Sequence, residues 1–217
     1  MDPSIERLLA EYDQRSDDER QARIDLATPG GAARRDQLLL AVGRGTGTLL
    51  NLLVKSLKAR SILELGTSYG YSAVWLAEAA RETGGKVITT DLVAEKSAYA
   101  KQRLGAVGLA QYVDFRVGDV LDILRQLAGP FDFVLLDVWK DLYIPCFDLF
   151  APKLAPGAIV VADNMIEPES ARVHAEAYRK RVRESGAFDS VLLPIGSGIE
   201  VSRRREAGGS VNRAGGS

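Results

Sequence analysis

From residue 61 to residue 203, short apolar runs alternate with longer segments in which apolar residues recur every three or four positions. Short runs bounded by glycine, proline or charged residues are typical of buried strands, and the longer periodic segments are typical of amphipathic helices. The predicted strands are Ser61–Leu65, Lys86–Asp91, 112–117, 131–137, 158–162, 190–194 and 199–203. The predicted helices between them are Tyr71–Thr83, 94–107, 120–127, 142–154 and 169–184.

This alternation predicts an α/β fold built on a seven-stranded sheet. Five consecutive strand–helix units imply that most strands are parallel and that helices cover both faces of the sheet. The connection at 194–198 is short and rich in glycine, which favours an antiparallel hairpin for the last two strands. We therefore expect a mostly parallel sheet with an antiparallel last strand.

The chain before residue 57 lacks strand signals and is helical in pattern. Residues 4–26 carry an apolar face, residues 28–31 break the pattern, residues 37–42 resume it, and residues 48–57 form a further predicted helix. The glycine cluster at 43–47 is either a helix–helix turn or a place where the backbone approaches a ligand. The residues alone favour the turn.

These patterns predict one domain at residues 1–205, in which a helical cap at 1–57 precedes an α/β core at 61–205. A chain of 217 residues is long enough to bury a substantial core within such a domain. The segment 206–217 is small and polar, and we expect it to be disordered.

The composition is that of an ordinary soluble protein. With 46% hydrophobic residues, 26% charged residues and a formal net charge of -1, the chain gives no reason to expect nucleic acid or an anionic membrane as partner. The single cysteine, Cys146, lies among apolar residues and excludes an internal disulfide. The N-terminus lacks a signal-peptide pattern, and no apolar run approaches the roughly 20 residues of a membrane span. We expect a cytoplasmic protein.

The first predicted strand leads into the sequence Glu64-Leu65-Gly66-Thr67-Ser68-Tyr69-Gly70. Glycines at such a turn let the backbone come close to a ligand at the helix N-terminus, although a glycine pair also occurs in ordinary turns. Three residues separate Gly66 from Gly70, which differs from the Gly-x-Gly-x-x-Gly of dinucleotide-binding proteins. The acid two residues before Gly66 suits a ligand with an ammonium group. This form resembles the first motif of class I methyltransferases, which bind S-adenosylmethionine (SAM).

Acids also follow the second and third predicted strands. Asp91 ends the second strand, where a carboxylate accepts the two ribose hydroxyls of a bound nucleotide. Asp119 follows the third strand, where a carboxylate would meet the adenine amino group. Each of these acids could instead cap the helix that follows it. Three acids at the ends of three successive strands, together with Gly66 and Gly70, favour SAM.

Oxygen-bearing side chains follow the fourth and fifth predicted strands. Asp137 ends the fourth strand, and Lys140 follows it by three residues. Asp163 and Asn164 follow the fifth strand. Ligands of open α/β sheets bind beyond the carboxyl ends of the strands, so these residues are expected at one site. Carboxylate and amide oxygens suit a hard divalent cation such as Mg2+, whose free positions would chelate a substrate with neighbouring oxygens.

Together these motifs resemble the catechol O-methyltransferases and their bacterial relatives, and the caffeoyl-coenzyme A O-methyltransferases share the same metal-site pattern. The motifs are Glu64-Leu65-Gly66 with Gly70-Tyr71-Ser72, Leu136-Asp137-Val138-Trp139-Lys140-Asp141, and Ala162-Asp163-Asn164 followed by Pro168. The resemblance covers roughly residues 38–203. It implies a Rossmann-like class I methyltransferase fold and a Mg2+-dependent transfer of a methyl group from SAM to a hydroxyl of a small catechol-like or caffeoyl-like aromatic.

The resemblance also implies roles for individual residues. Lys140 is the implied catalytic base, and the implied metal ligands are Asp137, Asp163 and Asn164. The implied substrate contacts are Trp139, Lys140, Asn164 and Pro168. Together with the strand-end acids, the expected cofactor contacts are Val42, Gly43, Glu64, Gly66, Ser68, Tyr69, Gly70, Ser72, Asp91, Asp119 and Asp137. Because Val42 and Gly43 are expected at the methionine end of SAM, the cluster at 43–47 is now expected to lie against the cofactor.

The chain departs from the catechol enzymes around the substrate. Leu38 stands nearest to the position of a tryptophan in those enzymes, and Pro194 stands near that of a substrate-orienting acid. The hairpin sequence Gly196-Ser197-Gly198 lacks the Gly-Asp-Gly of many bacterial and plant relatives. The methyl and metal chemistry is therefore expected to be intact, whereas catechol itself is not to be assumed as the substrate.

Two other interpretations remain. One is a metal-independent methyltransferase that acts on another small molecule, on protein or on RNA, which the net charge and the lack of an Asn-Pro-Pro-Tyr-type motif disfavour. The other is a nicotinamide oxidoreductase or a nucleotide-binding module, which the glycine spacing disfavours. The expected partner is a small aromatic substrate, with no nucleic acid or membrane. The N-terminal helices either cover the site or mediate a homodimer.

Overall fold

A computed structural model describes residues 1–21 and 37–206 of the chain. The strands are β1 (Ser61–Leu65), β2 (Lys86–Asp91), β3 (Val113–Val117), β4 (Phe131–Leu136), β5 (Leu154–Ala162), β6 (Phe188–Leu193) and β7 (Ile199–Arg204). The α-helices are α1 (Pro3–Gln21), α2 (Arg44–Leu57), α3 (Tyr71–Thr83), α4 (Ala94–Ala106), α5 (Val120–Gln126), α6 (Tyr143–Phe150) and α7 (Arg172–Glu184). Short 3-10 helices lie at Ala110–Tyr112, Lys140–Leu142, Ala151–Lys153 and Glu169–Ala171.

The described strands form one seven-stranded sheet in the order β3-β2-β1-β4-β5-β7-β6. The strands β1 to β5 pair in parallel, and β7 runs antiparallel to both β5 and β6. The predicted mostly parallel sheet, its antiparallel last strand and the final hairpin are therefore confirmed. The strand order reverses between β1 and β4, and ligands of such sheets bind at the carboxyl ends of the strands on either side of this reversal.

Alternate residues of the two central strands enter two different apolar clusters. Ile62 of β1 and Phe133 of β4 pack with α2 and α3, whereas Leu63 and Val134 pack with α6 and α7 on the other face. All four side chains are buried. A strand covered on both faces must be apolar at nearly every position, which explains why these segments read as continuous apolar runs. The charged side chains of these two strands, Glu64 in β1 and Asp132 in β4, are each one residue from a strand end.

Two predicted boundaries beside the site are wrong. The strand β5 begins at Leu154 rather than at residue 158, because Leu154 pairs with Phe131 before the ladder shifts register between Phe131 and Phe133. The preceding helix α6 accordingly ends at Phe150 instead of residue 154. Pairing with a neighbouring strand decided this boundary, and such pairing has no local signal in the sequence.

The predicted interruption at 43–47 is also wrong, because helix α2 begins at Arg44. A Cβ on Gly47 would lie 2.3 Å from Nε1 of Trp75 in α3, so the missing side chain allows the two helices to approach closely. Gly43 precedes the helix with a φ of 83°, in the left-handed region that favours glycine. Helix packing, rather than a turn, accounts for the glycine at position 47.

Some predicted features lie outside the described residues, namely residues 22–26 of the first helix, the break at 28–31 and the tail beyond residue 206. Cys146 is buried in the cluster around α6, as predicted. No helix within residues 1–21 and 37–206 combines the length and the apolar character that crossing a membrane requires.

Candidate active site

The pairing register brings the predicted site residues into one row along the carboxyl edge of the sheet. Leu65 of β1 lies opposite Thr90 of β2 and Leu136 of β4, and Leu136 lies opposite Ala162 of β5. The residues that come next along these strands are Gly66, Asp91, Asp137 and Asp163. The N–H of Asp137 donates to the Leu65 carbonyl at 2.9 Å, and the N–H of Asp163 donates to the Leu136 carbonyl at 3.1 Å. These hydrogen bonds fix the row beyond the strand ends.

Gly66 occupies a position that tolerates no side chain. Its φ is 107°, in the left-handed region, and a Cβ there would lie 2.0 Å from the carbonyl oxygen of Asp137. The turn after β1 therefore passes directly against the backbone that carries the first predicted metal ligand. The predicted glycine requirement is explained by this contact within the protein, in addition to any contact with a cofactor.

Gly70 is required for a different packing contact. It is the N-cap of α3 with a φ of 94°, and a Cβ there would lie 2.7 Å from the Cβ of Ala100 in α4. Gly70 is buried. The second glycine of the motif thus lets α4 approach the start of α3, and its predicted cofactor contact stays a prediction.

Asp91 holds the turn from the side of β2. Its Oδ2 accepts the N–H of Ser68 at 2.7 Å, and its Oδ1 accepts the N–H of Val93 at 2.8 Å. Ser68 has a φ of 45°, so this hydrogen bond stabilises a conformation that serine seldom adopts. Each carboxylate oxygen has a second lone pair. Asp91 can therefore hold the turn and still accept the two ribose hydroxyls that the sequence predicts.

Glu64 lies beneath the turn rather than at its surface. The carboxylate is fully buried, and its Oε2 accepts the hydroxyl of Thr89 at 2.5 Å, which in turn lies 2.6 Å from the hydroxyl of Thr67. Burial raises the pKa of Glu64 to about 7, and the hydrogen bond from Thr89 opposes this shift. Among the described residues, Oε1 has no hydrogen-bond partner. The predicted contact of Glu64 with the cofactor stays a prediction.

The N-terminal part of the chain covers this turn. The hydroxyl of Tyr12 in α1 donates to the carbonyl of Tyr69 at 2.6 Å, and the hydroxyl of Ser68 donates to the carbonyl of Leu39 at 3.2 Å. The guanidinium of Arg15 stacks over the Tyr69 ring at 4.2 Å from its centroid. The ring of Tyr69 is thus held against α1. Helix α1 and residues 37–43 belong to the structure that shapes the predicted cofactor site.

The other predicted cofactor residues are placed differently. Asp119 caps α5, where its Oδ1 accepts the N–H groups of Leu121 and Asp122, as the alternative interpretation expected. Val42 and Ser72 are buried. A Cβ on Gly43 would meet no atom of the described residues within 4 Å, so none of these residues packs against that side of the backbone. The cofactor roles of these residues stay predictions.

Asp137 and Asp163 form a pair of neighbouring acids at the ends of β4 and β5. The side chain of Asp137 is partly buried, whereas Asp163 is almost fully buried. Burial and the nearby charge of Asp137 raise the pKa of Asp163 to about 7. Within the part of the chain that the structure describes, Oδ1 of Asp163 has no hydrogen-bond partner. Two acids that repel each other, one with an orphaned buried oxygen, fit a site for a cation.

Asn164 adds a third oxygen donor at this point. Its φ of 54° places it in the left-handed region directly after Asp163. A cluster of three His, Cys, Asp or Glu side chains suited to a metal is absent from residues 1–21 and 37–206. The predicted ligand set therefore relies on the Asn164 amide as well as on two carboxylates. Oxygen-only ligands suit Mg2+, which keeps several positions for water or substrate.

The predicted substrate contacts lie beside these acids in the chain. Trp139 is 52% exposed and precedes the 3-10 helix Lys140–Leu142. Pro168 is exposed at the start of the 3-10 helix Glu169–Ala171. An aromatic ring at such a position offers a face on which a flat ligand can stack. Leu38, at the position nearest to the tryptophan of the catechol enzymes, is buried.

Lys140 reaches back toward the end of β4. Its Nζ lies 3.4 Å from Oδ1 of Asp137 and donates to the carbonyl of Val138 at 3.1 Å. The Nζ also donates to the hydroxyl of Tyr143 at 2.5 Å. Tyr143 was not predicted from the sequence to belong to the site. The signal that could have found it is its spacing of three residues from Lys140 at the start of a helix, where such side chains are neighbours.

The chain matches the family model described as O-methyltransferase over residues 30–205. It is 36% identical over 145 residues to a catechol O-methyltransferase of Niastella koreensis. This alignment covers 65% of this chain and 65% of that protein. It is also 36% identical over 154 residues to a catechol O-methyltransferase of Mycobacterium tuberculosis. This second alignment covers 68% of this chain and 69% of that protein. The match thus spans just under two thirds of the first relative and slightly more of the second.

The fold is similar to that of a solved enzyme with its cofactor. The O-methyltransferase TomG of Streptomyces achromogenes, solved in complex with SAM, aligns with a TM-score of 0.71 and 29% identity. The alignment covers 83% of this chain and 89% of that one. This similarity agrees with the Rossmann-like methyltransferase fold that the resemblance of the motifs implies.

We expect Gly66→Ala to destabilise the protein strongly. The new Cβ would overlap the Asp137 carbonyl and force a left-handed backbone on alanine, so the free energy of unfolding should fall by at least about 3 kcal/mol. Gly105→Ala is the matched control, because Gly105 lies in α4 and a Cβ there would lie 4.0 Å from the Cβ of Ala110, at an ordinary contact distance. Urea unfolding should show the control unchanged or stabilised by up to about 1 kcal/mol. Equal effects would contradict the account.

We expect Glu64 to make the ligand-free protein less stable as the pH rises. With a folded pKa of about 7 against 4.5 when unfolded, the native state holds the proton longer, so Glu64's contribution to stability falls between these values. Relative to Glu64→Gln, the wild type should lose about 2 to 3 kcal/mol of unfolding free energy between about pH 5 and about pH 8. If the unfolding free energies of the two proteins change in parallel over this pH range, Glu64 is ionised in the folded protein throughout, and the expectation is wrong.

Proposed function

This chain belongs to the O-methyltransferase family, and we propose that it transfers a methyl group from SAM to a hydroxyl of a small aromatic substrate that carries adjacent hydroxyls, in a reaction that depends on Mg2+. One observation carries the proposal. The acids Asp137 and Asp163 stand side by side at the ends of β4 and β5, and the glycine turn after β1 packs directly against Asp137. A cation site and a nucleotide-type turn therefore share one edge of the sheet.

The cofactor would lie along the turn after β1. Asp91 would accept the ribose hydroxyls, since each of its oxygens retains a free lone pair beyond its hydrogen bond to Ser68 or Val93. The backbone at Gly43 would face the methionine end. When bound, SAM supplies a methyl group on a sulfonium sulfur, which leaves as a neutral thioether and needs no acid. The SAM complex of the related TomG supports this choice of cofactor.

The metal would be held by Asp137, Asp163 and Asn164. The unpartnered Oδ1 of Asp163 within the described chain and the repulsion between the two acids support this assignment. When bound, Mg2+ supplies a Lewis acid that lowers the pKa of a substrate hydroxyl and fixes its position. The two protein carboxylates would neutralise the cation at the strand ends.

Lys140 would take the proton that the substrate hydroxyl loses. In the complete step the hydroxyl oxygen forms a bond to the methyl carbon, the bond from that carbon to sulfur breaks, and the proton passes to the lone pair of Lys140 Nζ, which would enter the step as a neutral amine and leave it as an ammonium. The position of Nζ, 3.4 Å from Oδ1 of Asp137, supports this role because it lies beside the proposed metal site. Holding the hydroxyl in line with the methyl group would supply most of the remaining acceleration.

The substrate would stack on Trp139 beside Asn164 and Pro168. The relatives are named for catechol and for caffeoyl-coenzyme A, which are both diols on an aromatic ring. Because Leu38 and Pro194 stand where the catechol enzymes carry a tryptophan and a substrate-orienting acid, catechol itself is not assumed as the substrate. We further propose that residues 1–205 act as one domain, in which α1 covers the cofactor turn through Tyr12.

The test is a methylation screen of catechols, caffeoyl esters and related diols with and without Mg2+. We expect EDTA to abolish turnover and excess Mg2+ to restore it. Asp137→Ala should lower kcat at least about a hundredfold because it removes a metal ligand. Asp122→Ala is the matched control, because Asp122 is exposed in α5 and pairs only with the exposed Arg125 among the ion pairs of the described residues. This control should keep wild-type kcat.

Full activity of Asp137→Ala, or turnover that EDTA leaves unchanged, would rule out the metal mechanism. Methylation of RNA or protein without Mg2+ would instead favour the metal-independent alternative. Calorimetry with SAM and with NAD, side by side, distinguishes the two methyltransferase interpretations from an oxidoreductase. A methyltransferase is expected to bind SAM, whereas an oxidoreductase is expected to bind NAD tightly.

A further inference from the structure

Tyr143 connects the two halves of the proposed catalytic site. It is the first residue of α6 and is fully buried. Its hydroxyl accepts a hydrogen bond from Nζ of Lys140 at 2.5 Å and donates one to the carbonyl of Asp163 at 3.0 Å. One hydroxyl therefore contacts both the proposed base and the backbone of a proposed metal ligand.

The direction of these hydrogen bonds is fixed by chemistry. A tyrosine hydroxyl has one hydrogen to donate, and a backbone carbonyl can only accept. Because the Asp163 carbonyl takes that hydrogen, the hydroxyl presents a lone pair to Lys140, which donates to it. The tether is therefore directional, and the buried ring behind the hydroxyl cannot move far from this position.

The other contacts of Lys140 would hold its amine less firmly. A lysine carries its charge on a flexible four-carbon chain. The Asp137 carboxylate is the more distant acceptor, at 3.4 Å, and would also have to serve the metal. The Val138 carbonyl accepts a hydrogen bond from Lys140 Nζ at 3.1 Å, and Val138 lies in the loop just after β4. The hydrogen bond to the Tyr143 hydroxyl is the shortest of the three. The centroid of the Tyr143 ring also lies 4.6 Å from Nζ of Lys140.

We propose that Tyr143 is a positioning residue, which holds Nζ of Lys140 beside the ends of β4 and β5 through its hydroxyl. This inference rests on the proposed function for its effect on catalysis, whereas the tether itself is a property of the ligand-free protein. The same hydroxyl fixes the Asp163 carbonyl, and the next residue, Asn164, has a left-handed φ of 54°. Loss of the hydroxyl would release the base, whereas the hydrogen bond from the N–H of Asp163 to the Leu136 carbonyl would keep the proposed ligand segment in place.

Tyr178 is a matched control within the same apolar cluster. It is fully buried, and its ring meets that of Tyr143 edge-on with 5.6 Å between the centroids. Its hydroxyl has no hydrogen-bond partner among the residues that the structure describes. Tyr143→Phe and Tyr178→Phe therefore remove the same atom from the same cluster, and only the first removes a contact with Lys140.

The kinetic test compares these two variants in Mg2+-dependent methyl transfer. Tyr143→Phe should lower kcat by about tenfold to a hundredfold, as expected for the loss of a hydrogen bond to an amine that becomes charged as it takes the proton. Its KM values for SAM and for the acceptor should stay within about twofold, because the hydroxyl is fully buried and its two hydrogen bonds are made within the protein. Tyr178→Phe should keep wild-type kcat. Thermal unfolding of both variants shows whether the fold is intact.

A second measurement tests the tether without any turnover. In protein labelled with 13C at the lysine ε-carbon, a fixed side chain gives two distinct ε-proton shifts, and a free one gives an averaged signal. The Lys140 signal, identified by its loss in Lys140→Met, should show two shifts in the wild type and in Tyr178→Phe. It should collapse to one in Tyr143→Phe. If the wild type transfers no methyl to any diol, the proposed function fails, and this measurement still decides the tether.

A double-mutant cycle of Tyr143→Phe and Lys140→Met guards against a merely structural effect. If the hydroxyl acts through Lys140, the double variant should be no slower than Lys140→Met alone. Two distinct shifts for Lys140 in Tyr143→Phe would overturn the inference. Wild-type kcat in that variant, or strictly additive losses in the cycle, would overturn it as well.

Discussion

The contact between Gly66 and the carbonyl of Asp137 is the constraint on which the site depends. It allows the turn after β1 to reach the end of β4 with no side chain between them, since a Cβ would lie 2.0 Å from that oxygen. The parallel register sets Asp91 and Asp163 in the same row, so the predicted cofactor and metal residues share one edge. The site is therefore a consequence of sheet pairing and of one close backbone approach.

Burial at this edge also explains the electrostatics. Glu64 lies beneath the turn and Asp163 lies at the end of β5, and loss of water raises the pKa of both carboxyls to about 7. Each has one buried oxygen without a partner among the described residues. An acid that is kept away from water without a partner costs stability, so such groups are retained where a ligand satisfies them. This reasoning connects the fold to the proposed binding of a cation.

The fold could be predicted from the sequence because its strands are apolar at nearly every position and its helices are periodic. The row of acids could be predicted because the carboxyl ends of parallel strands meet at one edge. Contacts between distant segments could not be predicted. They place Gly47 against Trp75 and start β5 at Leu154. The same limit hid the hydrogen bond from Tyr143 to the Asp163 carbonyl, which joins residues 20 positions apart in the chain.

The central claim is that Asp137, Asp163 and Asn164 hold one divalent cation beside the cofactor turn. Crystals grown with Mn2+ and S-adenosylhomocysteine would test it through the anomalous scattering of manganese. The account predicts one strong peak within coordination distance of these three side chains, with the adenosine moiety along the turn that begins at Gly66. A manganese peak elsewhere, or no peak beside a fully bound cofactor, would contradict it.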